Sequence, residues 1–130
     1  MGRRLVCAGL LLSCLAAGCG GGLAGLWRGS GEVGDGRFFE MVLDTRDPAK
    51  LSATVAYKSG SETRLAVCGL KENEGRLDFV MDPDGKAVSC DAMKTPLKFT
   101  GRLGNDVIYG DVLDGAGNRV GMFRAFRAGS

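Results

Sequence analysis

The chain has no histidine. That absence removes the imidazole on which Ser/His/Asp and Cys/His nucleophilic catalysis and most zinc sites depend. No apolar run approaches the roughly 20 residues that a membrane-spanning helix needs; the longest, from Leu5 to Leu15, is about half of that. An excess of one charge is also missing. With Arg3 and Arg4 set aside, 15 basic side chains face 15 acidic ones. Without a basic cluster there is no electrostatic footprint for nucleic-acid phosphates, so nucleic acid is not an expected partner. No phosphate-cradling glycine loop and no nucleophile elbow occurs either.

What the chain has in quantity is glycine, 22 residues against three prolines. These glycines recur beside Asp and Asn at short intervals, which is turn chemistry. Between the turns, apolar and polar residues alternate, the pattern of half-buried antiparallel strands. Eight strands are predicted, over 25–33, 37–44, 51–58, 62–71, 75–82, 96–103, 106–113 and 119–127. In the second, Phe39, Met41 and Leu43 share a face; Leu77, Phe79 and Met81 do so in the fifth, and Leu97, Phe99 and Leu103 in the sixth. Glu40, Asp44, Lys58, Asp78, Lys98 and Arg102 mark the wet faces. Tight connections such as "GDG" (34–36), "SGS" (59–61), "NEG" (73–75) and "GND" (104–106) join neighbours as hairpins. Only the stretch from Asp82 to Thr95 is long. A meander of one-faced strands has two exposed edges unless it closes, so the expected fold is all-β, an up-and-down antiparallel barrel of about eight strands with minimal helix.

The N-terminus has a positive start (Met1 to Arg4), an apolar run (Leu5 to Leu15) and a small-residue stretch (Ala16, Ala17, Gly18), the order of a signal peptide. "LAAGC" resembles the lipobox of bacterial lipoproteins, with Ala16 where Leu is commonest; "LLSC", ending at Cys14, is an alternative lipobox, and an ordinary secretory signal is the plainer reading. The resemblance implies a signal peptide at 1–18, an acylated Cys19 with a Gly-rich tether to residue 24, and a single domain over 25–130. It also implies a membrane reached through the lipid anchor. Gly20 in place of Asp implies sorting to the outer membrane of a Gram-negative envelope. On this reading Cys7 and Cys14 leave, Cys19 carries lipid, and Cys68 and Cys90 remain as an even pair. In an oxidising compartment such a pair is most simply a disulfide, with two buried thiols or a reactive cysteine as the alternatives.

"GLWRG" (25–29), "FTGRLGNDVIYG" (99–110) and "GMFRAFR" (121–127) resemble the opening and closing strands of lipocalin-like bacterial barrel domains. That resemblance implies Trp27 closing the barrel base, with Arg124 or Arg127 laid across its indole. Phe39, Phe79, Phe99 and Phe123 are candidates for lining or filling the interior, which in an eight-stranded barrel holds side chains or one small ligand. Asp82 with Asp84, and Asp114 with Asn118, offer oxygen ligands but read better as turns, lacking the acidic count of a calcium loop. Glu72 with Glu74 and Asp106 with Asp111 are the carboxylate pairs nearest to an acid–base arrangement, on strand ends where charge is normally solvated.

No cofactor or metal is therefore expected, and no catalysis. The expected function is binding of an envelope protein or support of envelope assembly. The alternatives are a lipocalin-type carrier of a small apolar ligand and an inhibitor of a periplasmic hydrolase.

Overall fold

The computed structural model describes residues 22–34, 36–57, 60 and 62–129. Cys19 and the 1–18 segment lie outside the described residues, as does Lys58. Nine strands form one antiparallel sheet: β1 (Leu26–Val33), β2 (Arg37–Asp44), β3 (Ser52–Tyr57), β4 (Thr63–Ala66), β5 (Cys68–Asn73), β6 (Arg76–Met81), β7 (Leu97–Leu103), β8 (Val107–Leu113) and β9 (Arg119–Gly129). Their spatial order is β4, β3, β2, β1, β9, β8, β7, β6, β5. Sequence neighbours pair throughout, and β1 pairs β9 from Leu26↔Gly129 to Val33↔Gly121. The result is a nearly closed up-and-down barrel whose two free edges, β4 and β5, are consecutive in the chain.

The expected strand over 62–71 is therefore two strands. Leu65 and Val67 are both buried, so the alternation runs on through the break. What interrupts it is backbone: Gly69 sits at φ +62° and the β5–β6 register slips between Cys68 and Lys71. A β-strand cannot pass through a left-handed residue without a bulge. The remaining boundaries agree with expectation to within a residue or two. The "NEG" connection has Glu74 at φ +53° and Gly75 at φ +84°, the two left-handed residues that a two-residue hairpin of matched twist requires.

The long connection fastens the seam between β4 and β5. Ala66 N–H donates to Ala87 O at 3.0 Å, and Cys68 is bonded to Cys90. A single 3₁₀ turn, Cys90–Ala92, is the helix of this loop. Its ends are drawn together by Asp82, whose carboxylate accepts from Gly85 N (2.8 Å), Lys94 N (2.7 Å), Thr95 N (3.2 Å) and Thr95 Oγ1 (2.9 Å). Asp82 is fully buried. Burial pushes its pKa up, but those four donors outweigh burial and hold the carboxyl below the usual carboxylate range.

One face of every strand fills the interior. Phe79 and Phe99 stack with centroids 5.0 Å apart, and Phe123 meets both edge-on at 5.9 and 5.3 Å. Phe39 meets Phe99 at 6.3 Å across the barrel. Space for these rings comes from glycine: an added Cβ at Gly31 would lie 2.4 Å from the Phe39 ring. Large and small residues thus alternate along one interior row, Phe39–Gly31–Phe123–Gly110, set by the strand register.

Candidate functional site

The aromatic residues named from the sequence come together as a packed core. Trp27, Phe79 and Phe99 are completely buried, and Phe39 and Phe123 are 3% and 4% exposed. Trp27 sits at one end of the barrel, where its Nε1–H donates to Leu23 O at 2.8 Å. Arg127, not Arg124, covers it, with Cζ 4.3 Å from the ring centroid. Alternation decides between the two arginines, because Phe123, Ala125 and Arg127 share one side of β9 while Arg124 is exposed on the other. Beside them, Thr45 Oγ1 accepts from Gly25 N (3.1 Å) and donates to Leu23 O (2.6 Å), so this end is closed by a polar clasp around the indole.

The acidic residues named from the sequence are held by protein donors. Asp84 takes both ends of the Arg37 guanidinium at 2.9 and 3.3 Å and a longer bond from Tyr57 Oη at 3.5 Å. Burial and the nearby Asp84 charge push the Tyr57 phenol up. Asp114 accepts from Ala116 N and Asn118 N at 2.9 Å each, which makes it a turn cap, and the Asn118 bond above all lowers its pKa. Asp106 and Asp111 pair with different arginines, Arg127 and Arg119. Glu72 accepts from Gly75 N and stabilises the hairpin. Among the described residues no group of three or more metal-ligating side chains comes together.

The feature that sequence reading did not single out is an open groove of about 1080 Å³ on the outer surface, reaching from β3 across β2, β1, β9, β8 and β7 to Arg76 of β6. Register lines up its centre: Arg124 is opposite Tyr109, Tyr109 opposite Arg102, and Arg102 opposite Arg76. On the other side of Arg124 the row continues through Ser30 to Glu40. Arg28 borders the same groove, with Phe38, Met122 and Phe126. Phe38, Tyr109, Met122 and Phe126 are 62%, 50%, 50% and 54% exposed. None of the four arginines forms an ion pair or side-chain hydrogen bond among the described residues, whereas Arg46, Arg119 and Arg127 each hold a carboxylate.

Each of these residues looks like an ordinary solvated strand position in the sequence. A signal was present in the turn lengths. The hairpin connections fix Arg102 against Tyr109 and against Arg76, and two guanidinium groups directly opposite one another are unfavourable unless something anionic lies over them.

Compared with protein-family models, with curated proteins and with solved structures, the chain matches none of them.

Proposed function

We propose that the protein is a lipid-anchored, non-catalytic binding module of the bacterial cell envelope. Cys19 carries the acyl chains once residues 1–18 are removed, the glycine tether holds the barrel at the outer membrane, and the barrel engages an envelope protein through its outer surface. The observation that carries the binding half is the interior itself: Phe39, Phe79, Phe99 and Phe123 contact one another across the barrel, which leaves the outer face as the available surface. A carrier of a small apolar molecule finds less support, because those rings hold the space its cargo would take.

Two measurements test the halves separately. In cells fed a labelled fatty acid, the wild-type chain takes up label and fractionates with membranes, while Cys19→Ser does neither; a labelled serine variant overturns the anchor. A photo-crosslinking residue placed in turn on each exposed strand position gives a discrete envelope adduct at some of them. A complete absence of adducts over the whole surface overturns partner binding.

A further inference from the structure

The outer groove is electrostatically incomplete. Arg124, Tyr109, Arg102 and Arg76 stand in one cross-strand row over β9, β8, β7 and β6. Adjacent strands are about 4.8 Å apart, so Arg102 and Arg76 put like charges side by side on the sheet. Such a pair destabilises a sheet by a few tenths of a kcal/mol or more unless it is neutralised. Elsewhere the barrel neutralises its arginines: Arg46 with Asp44, Arg119 with Asp111 and Arg127 with Asp106. Here it does not, among the described residues.

The composition of the groove identifies what kind of molecule completes it. Its basic residues are all arginine, with no lysine on its lining, and its exposed apolar residues are Phe, Tyr and Met. Arg, aromatic residues and Met are the types enriched at protein–protein interfaces, and Lys is depleted there. A surface meant for anionic lipid headgroups would draw on Lys as readily as Arg. Guanidinium groups also present a fork matched to carboxylates, which an ammonium does not.

Resting on the reading of the barrel as a partner-binding module, we propose that this groove docks an acidic segment of a partner protein. Its carboxylates bridge Arg124, Arg102 and Arg76, and its apolar side chains lie against Tyr109, Phe126 and Met122. The contact is of the charge-complementary kind, so it forms fast and weakens with salt.

The test uses the barrel with its disulfide intact and a displayed library of short random peptides. Selection enriches sequences that combine Asp or Glu with aromatic or aliphatic residues. The best of them shifts backbone amide resonances of β7, β8 and β9, and Arg102→Glu with Arg124→Glu weakens it by at least about tenfold. The free Arg76→Glu variant keeps its Tm or gains up to about 5 °C, since it converts a like pair into an opposite one. A fall in its Tm shows the arginine to be structural and overturns the proposal. So does enrichment without acidic residues, shifts confined to other strands, or no enrichment. Binding to phosphatidylglycerol-containing vesicles with the same arginine dependence, and not to phosphatidylcholine vesicles, makes a lipid surface the occupant and also overturns it. Cellular adducts found only outside the groove defeat this inference and leave the partner-binding reading standing; adducts nowhere defeat both.

Discussion

The guanidinium of Arg127 lies flat over Trp27, 4.3 Å from its ring centroid, and the same group donates to Ala24 O at 2.8 Å and Gly22 O at 2.7 Å. One side chain therefore joins the last strand to the residues that lead into the first. It also pairs with Asp106 at 3.1 Å, ahead of β8. Only 18% of the side chain is exposed, so these contacts are weakly screened.

Removing this clamp is predicted to destabilise the barrel. Arg127→Ala loses the cation–π contact and two bonds to backbone carbonyls, for about 2–3 kcal/mol together. Arg127→Lys keeps a charge near the indole but loses the fork, and recovers about half of that. Trp27 is the only tryptophan in the chain, so urea unfolding followed by its fluorescence reads both variants directly. Equal stability of Arg127→Ala and wild type means that the clamp contributes nothing.

Acid is predicted to act first through Asp82. Its folded pKa lies below the ordinary carboxylate value because four donors outweigh burial. A depressed folded pKa means that the unfolded chain takes up the proton more readily. Stability is then fully present above the unfolded value of about 3.9 and is lost as pH falls through the lower folded value. Asp44, lowered to about 2 by the bonds from Arg46, and Asp114 share this sign. The variant Asp82→Asn turns an amide NH₂ or a weaker acceptor toward N–H donors, and is predicted to cost about 2–4 kcal/mol near neutral pH. It also flattens the slope of stability between about pH 4 and pH 2. Chemical denaturation across that range measures both effects, and an unchanged slope would show that Asp82 is not the group responsible.

The seam supplies a third prediction. Cys68 and Cys90 are 22 residues apart, and opening that loop is predicted to cost about 3 kcal/mol. The double serine variant should melt on the order of 10 °C lower. It should also exchange the Ala66 amide faster, because that N–H is bonded to Ala87 in the loop that the disulfide holds. Exchange at β1 and β9, remote from the seam, should change only as much as global stability does.

Local chemistry and cross-strand register were not equally legible in the sequence. The alternation of Phe39, Met41 and Leu43 and the Gly-containing turns sufficed for the barrel, because period and turn type are local. The break at Val67 was hidden, since Leu65 and Val67 keep the alternation and the left-handed Gly69 looks like any other glycine. Trp27 and Arg127 were recognisable from the parity of the last strand. The groove was not: Arg76, Arg102, Tyr109 and Arg124 are scattered over 49 positions of sequence, and only the pairing of four strands makes them neighbours.

A pair of glycine substitutions separates close packing from turn flexibility. Gly110 faces Gly101 on β7, and a Cβ on it would lie 2.0 Å from Thr100 O and 2.4 Å from Gly101 Cα. Those are backbone atoms held in a ladder, so neither can yield without opening β7 from β8. Gly110→Ala is predicted to destabilise by more than about 3 kcal/mol, the range of strongly overpacked cores. Gly115, in the turn after β8, has open space for 4 Å around the point where a methyl group would stand, and no left-handed backbone angle. Its replacement by alanine lowers the entropy of the unfolded chain and is predicted to be neutral or stabilising by up to about 1 kcal/mol. Thermal melts of the two variants side by side decide the matter. If Gly110→Ala melts with Gly115→Ala, the strands at β7 and β8 are not pressed together as described, and the packing of Phe123 beside Gly110 loses its explanation.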